Sequence, residues 1–344
     1  VSEKRKNQTK RNSSIAFGLV ISALFLYLSL RDLDWSLFYS QLTSLKWPHL
    51  LGLFVIMWVC VGLRALRWRL LLPGGAQMKF GIIYSTMWVG LAGIFLLPLR
   101  AGEFVRPWLI SRSEKITFSG ALASIVVERV VDILTLILCF VFLSGRLESS
   151  PDWVNAGAWG LGCVALLGLG FFVACYLLGD RMLGILDVLL SYLAFKIVRK
   201  YEQKILHLVS EFLLGLRAVA AFKSLAAVSA LSLLIWLCIA LFYYWGLLLM
   251  GVPASFEVGL TISIVIAFAV AAPSAPGFVG VFQFACVVAL SAMSGYTKEF
   301  AVAYSVVMHI FQLVFTVAFG FFHMRKMGLN LHAVEDASHV ALDA

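Results

Sequence analysis

Charge is scarce in this sequence. Only 13% of its 344 residues are charged, 62% are apolar, and the mean hydropathy is +0.96. A soluble domain cannot hide that much apolar surface, so the composition excludes one and defines a polytopic helical membrane protein. Negative charge is the scarcer sign, with 18 Asp and Glu against 27 Lys and Arg and a net charge of +9. In a membrane chain that excess marks cytoplasmic loops and contact with anionic headgroups. Nucleic acid is not expected as a partner, because no soluble basic surface studded with aromatics is there to bind it.

Cysteine is sparse too. Cys60, Cys139, Cys163, Cys175, Cys238 and Cys286 all lie in apolar stretches, with no CxxC pair and no Cys/His grouping at metal spacing. They read as small buried hydrophobes, and neither a metal nor a cofactor is expected. There is no Walker-type loop, which argues against direct use of ATP. Proline numbers only eight, so its placement is informative.

Prolines gather at two interruptions of apolar sequence. Residues 97–112, LPLRAGEFVRPWLISR, bring Pro98, Gly102 and Pro107 together with Arg100, Glu103 and Arg106. Residues 272–280, APSAPGFVG, bring Pro273, Pro276, Gly277 and Gly280. Hydrocarbon does not tolerate unpaired backbone or charge, so broken segments at membrane depth must line a polar cavity or be buried in protein. The two breaks are therefore expected to face each other and form the working site of a transporter.

Uninterrupted spans are expected at 15–30, from 47 to about 66, and at 118–143, 158–178, 224–250 and 300–322. The broken regions 80–109 and 257–292 each enter and return on one side. Arg64, Arg67 and Arg69, with Trp68 among them, follow the second span and read as a cytoplasmic anchor or a headgroup contact. Residues 179–223 read as cytoplasmic amphipathic helices. The expected fold class is thus an all-α polytopic membrane protein with about six full spans and two broken or re-entrant hairpins in an inverted repeat. Both termini are cytoplasmic in this reading. Residues 1–344 form one transmembrane domain, with repeat halves at 1–143 and 158–326 and no soluble catalytic domain. Its place is the plasma (inner) membrane, as a multi-pass protein.

Glu128, Arg129 and Asp132 sit well inside the span at 118–143. Glu128 and Asp132 share a helix face, and two carboxylates there repel unless a cation or proton intervenes. Arg129 reaches Asp132, and Arg100 and Arg106 are the expected partners from the broken segment. Such a network either pins broken segments in place or handles a headgroup or ion directly. His309, in the last span, reads as a packing histidine, with proton relay as the alternative.

The runs RALRW (64–68), LPLRAGEFVRPWL (97–109), ERVVD (128–132) and PGFVGVFQ (276–283) resemble the lysylphosphatidylglycerol synthase transmembrane-region family, also called flippase-like. The resemblance covers essentially the whole chain. It implies an integral membrane domain that moves lipids or lipid-linked carriers between leaflets, fused in larger members to a soluble aminoacyl-transferase domain. Many members carry P-G-G-x-G-x-x-E at the second motif, where this chain has Phe278 and Gln283.

The expected function is a lipid flippase or translocase for an anionic phospholipid or polyprenyl-phosphate-linked carrier. Its substrate-binding residues would be Arg100, Glu103, Arg106, Glu128, Arg129, Asp132 and Gln283. Arginines make fork-like contacts to phosphate, and broken helices aim positive dipole ends at it. The alternatives are an integral membrane transferase or accessory subunit of a lipid-modifying or glycosyl-transfer system, and a small-solute or ion-coupled transporter. With no catalytic motif, the chain is expected not to be an enzyme. A homodimer or a partner transferase fits the sequence.

Overall fold

The computed structural model describes residues 18–97, 102–144, 222–271, 275–293 and 295–329, with scattered positions between 163 and 210. Every regular element among the described residues is helical. In chain order these are α1 (Gly18–Leu30), α2 (Trp35–Thr43), α3 (His49–Leu71), α4 (Phe80–Leu96), α5 (Gly102–Ser113), α6 (Phe118–Ser144), α7 (Phe222–Leu249), α8 (Phe256–Ala271), α9 (Val281–Ser291) and α10 (Lys298–Lys326). Short 3-10 turns occupy Gly75–Gln77 and Pro276–Phe278.

Local chemistry sets the helix ends. The Asp34 carboxylate accepts the N–H groups of Ser36 and Leu37 at 2.9 and 3.2 Å and so caps α2. Thr297 accepts from the Phe300 N–H at the start of α10. That helix ends in His323, Arg325 and Lys326, which complement the negative end of its dipole. Pro107 lies inside α5, where its missing N–H removes one rung of the helix ladder.

Among the described residues, three helices are long and apolar enough to cross a membrane: His49–Leu71, Leu225–Leu249 and Lys298–Lys326. Their outward faces are apolar, with Leu51, Val55 and Val59 on α3 and Ile310 and Val314 on α10 exposed, as lipid requires. α6 is 27 residues long but carries Glu128, Arg129 and Asp132 in its middle. At the two broken regions, α4 has 17 residues, α8 has 16 and α9 has 11, each short of the ~20 that cross hydrocarbon. The span expected at 158–178 and the amphipathic helices expected over 179–223 lie outside the described residues, isolated helical positions apart.

One boundary differs from expectation in a way that matters. Hydropathy ends the second span near residue 66, but α3 runs on to Leu71. Arg64, Arg67 and Arg69 therefore sit on the helix and not after it. The helix continues because its cations are met: Arg67 by the carboxylates of α6, and Arg69 by the carbonyls of Gly75 and Ala76 at 3.0 and 2.7 Å.

The chain forms two compact units. One comprises residues 1–61, 85–106 and 236–344, the other residues 62–84 and 107–235. The first has a core of Leu53, Ile56, Leu247, Ile262, Cys286, Tyr304 and Met308, drawn from α3, α7, α8, α9 and α10. Within it α8 packs on α9, α9 on α10, and α10 on α2. The second unit joins the end of α3 to α6 and the start of α7 through polar contacts centred on Arg67.

Candidate functional site

In the second unit, α6 places Glu128 and Asp132 on one face, 3% and 8% exposed. Two carboxylates so deep need cations beside them, or one must be protonated. The structure supplies Arg67 of α3, itself 2% exposed. Its Nη1 donates to Asp132 Oδ1 at 2.5 Å and to Ser232 Oγ of α7 at 3.0 Å. Its Nη2 donates to Asp132 Oδ2 at 3.3 Å and lies 3.4 Å from Glu128 Oε1. Arg129 closes the cluster, with Nη2 at 2.6 Å from Glu128 Oε1 and 3.3 Å from Asp132 Oδ2. Among the described residues, two arginines thus stand against two carboxylates. The buried Arg67 Nε has no hydrogen-bond partner among the described residues.

This placement corrects the reading of Arg67 and Trp68 as a surface anchor. Trp68 is fully buried, and its Nε1 donates to Ser124 Oγ of α6 at 2.9 Å. Both residues lie on the face of α3 turned toward α6, which a span ending near residue 66 would not have. Arg64 is half-buried on the same helix. The pairing expected from Arg100 lies outside the described residues, as do Pro98 and Pro273. Glu103 is half-buried on α5.

In the first unit, α4 and α5 fold back on each other around the first break. Gly102 lies against the backbone of Gly93 and Ile94, so closely that a Cβ on Gly102 would collide with it. One turn further on, the buried Arg106 side chain fills the space beside Gly90, and its Nη1 reaches Met87 Sδ at 3.5 Å. Pro107 comes next in the same helix and is buried. The glycines allow the two helices to approach at backbone distance.

The second break is built from left-handed backbone. Gly277 has φ 72°, Gly280 φ 85°, and Phe278, a bulky residue in a region that favours glycine, φ 60°. A closed hydrogen-bond chain holds this turn. The Gly280 N–H donates to Gln283 Oε1 at 2.7 Å, and Gln283 Nε2 donates to His309 Nδ1 at 2.9 Å. His309 Nε2 donates to the Gly277 carbonyl at 2.6 Å. The carbonyl only accepts, which fixes the proton on Nε2. His309 is thus a packed histidine with both ring nitrogens satisfied. It is a clamp on the break, and Gln283 spends both ends of its amide on the same turn.

The end of α4 meets the turn of the second break. The Phe95 carbonyl, in the last turn of α4, lies 3.6 Å from where a side chain on Gly277 would begin, and the Phe95 and Phe278 rings make an edge contact at 5.8 Å. Pro276 opens the 3-10 turn on its exposed side.

Apolar helices of spanning length, a charge cluster buried on one of the long helices, and interrupted segments in contact define a multi-pass integral membrane protein. Residues 15–320 match the family described as "Lysylphosphatidylglycerol synthase TM region". The chain belongs to that family, which is named for the membrane part of an enzyme acting on a phospholipid. It is also 26% identical, over 96% of its length, to the protein named "Glycosyltransferase AglD" of Haloferax volcanii. The chain spans 57% of that relative's length. No solved structure matches it.

The relative overturns one expectation. The want of a catalytic motif points to a non-enzyme, whereas a protein named as a glycosyltransferase matches nearly the whole chain. The name describes the whole relative, of which this chain spans just over half, so the absence of a catalytic motif here does not show a non-enzyme.

Proposed function

We propose that the protein carries an anionic phospholipid or polyprenyl-phosphate-linked carrier between membrane leaflets, with the Arg67 cluster as the station for its headgroup. A phosphate is hard to move through hydrocarbon unless cations and hydrogen-bond donors replace its water. Arg67 is held by two carboxylates and keeps a buried Nε–H with no partner among the described residues. That single observation carries the reading. Asp132 and Glu128 hold the guanidinium when the station is empty, and a phosphate oxygen competes for it when a lipid arrives. Arg129, 42% exposed, is the accessible cation of the cluster and makes the first contact.

Arg100, Glu103 and Arg106 on the first broken segment are assigned in this reading to lipid phosphate, and Pro276, Gly277, Gly280 and Gln283 to shaping the second break. Arg64 and Arg69 serve anionic headgroups at the surface. The wider arrangement is six spans and two re-entrant hairpins in an inverted repeat, with both termini cytoplasmic, in the inner membrane.

A second reading is favoured by the relative's name: the membrane part of a system that transfers a sugar to or from a lipid carrier. Both readings give the same residues to a lipid phosphate. They differ in the fate of the bound lipid, which is moved in one and chemically altered in the other.

Purified protein in vesicles with a labelled anionic lipid separates them. Movement of the label between leaflets, slowed by Arg67→Lys in a folded variant, supports translocation. Transfer of a labelled sugar from a lipid-linked donor, without leaflet exchange, supports the second reading. Ion conductance with neither activity overturns both.

A further inference from the structure

α1 lies over the second break, where the end of α4 also arrives. Its buried positions are small or polar, namely Gly18, Ser22 and Ser29, while Leu19, Val20, Leu24 and Tyr27 are exposed. No large apolar side chain of α1 is buried. Contacts among the described residues hold it to the break and to α9. Ser22 Oγ accepts the Ala275 N–H at 2.8 Å. The Ser22 carbonyl lies so close to Gly280 that any side chain there would strike it. Phe25 stacks on Phe284 of α9, with centroids 4.6 Å apart and planes at 18°.

The far end of α1 is fixed differently. Leu30 packs against the apolar core and Leu33 lies within it, Lys298 Nζ donates to the Arg31 carbonyl, and Asp32 turns the chain with φ 55°. The helix therefore has an anchored end and a lightly held one. The lightly held end covers backbone that needs an acceptor. The Ala275 N–H belongs to non-helical chain in an apolar region, where an unpartnered donor is costly. Ser22 is the acceptor on α1, and a headgroup oxygen has the same chemistry.

We infer that α1 is a lateral gate: its first turns lift from the break, pivoting at Arg31–Asp32, and a lipid headgroup oxygen takes over the Ala275 N–H from Ser22. The identity of the incoming group rests on the lipid-handling reading; the motion does not.

Two experiments on the full chain in lipid test it. A short thiol cross-linker joins Phe25→Cys to Phe284→Cys. The gate predicts loss of lipid movement on cross-linking and recovery on reduction, and undiminished movement with the link in place overturns it. The second readout does not need transport. Spin labels at Val20→Cys and Val288→Cys, both exposed positions, report the α1–α9 distance in nanodiscs of neutral lipid or of phosphatidylglycerol, with singly labelled controls subtracted. A longer-distance population that grows in phosphatidylglycerol, and grows further in Ser22→Ala, is the expected result. One unchanging distance in all three samples overturns the gate. A distance that responds while wild-type protein moves no lipid keeps the gate and discards translocation.

Discussion

Arg67 and Asp132, 65 residues apart in the chain, form a two-pronged ion pair at 2.5 and 3.3 Å, both side chains buried. Buried pairs of this kind are asymmetric. Keeping both partners adds little net stability, whereas removing one leaves a charge stranded. That asymmetry separates a structural role from a functional one.

Arg67→Ala should lower stability by about 3–5 kcal/mol, because Glu128 and Asp132 lose the cation between them. Unfolding in detergent measures it. Arg129→Ala, at a side chain 42% exposed, takes one cation from the buried Glu128 but leaves Arg67 beside both carboxylates, and should cost less, about 1–3 kcal/mol. Equal costs would mean that Arg67 is not the central cation.

Gly102→Ala should destabilise by about 1–3 kcal/mol, since its Cβ meets the Gly93–Ile94 backbone. Gly62→Ala on α3 meets nothing within 4 Å and should stabilise by about 0.5–1 kcal/mol through helix propensity. Melting curves of the two variants should therefore shift in opposite directions.

Gln283→Leu should cost about 1–3 kcal/mol, because the Gly280 N–H and His309 Nδ1 both lose a buried partner. His309→Ala should disturb the same turn, and the double variant should cost less than the sum of the singles, since the three groups form one chain. Additive losses in a double-mutant cycle would show that Gln283 and His309 act independently.

The architecture was legible where hydropathy and breakers speak together. The long apolar helices and the two interruptions follow from apolar run length and from the placement of Pro and Gly. ERVVD declared its need for a cation, since two carboxylates one turn apart in an apolar helix admit few other solutions. The cation's identity was not legible. Arg67 sits in LRALRWRLL, where the apolar run fades and a positive-inside anchor is the ordinary reading. The signal available was that Leu63, Trp68, Leu71 and Leu72 continue the helical period through the arginines. Ser22, Ser232 and His309 left no signal of their own, because a small polar residue or lone histidine in an apolar helix has no period. Their roles exist only once distant helices are packed.

The account depends most directly on the Arg67 cluster being a lipid station and not merely a brace. Arg67→Met and Arg129→Gln combined with Glu128→Gln and Asp132→Asn remove all four charges of the cluster together, so no lone charge is stranded and the fold should survive. Leaflet exchange of labelled phosphatidylglycerol by this quadruple variant, in the same vesicles as wild type, is the decisive measurement. The account predicts a protein that unfolds near the wild-type temperature and moves no lipid; exchange at the wild-type rate would contradict it.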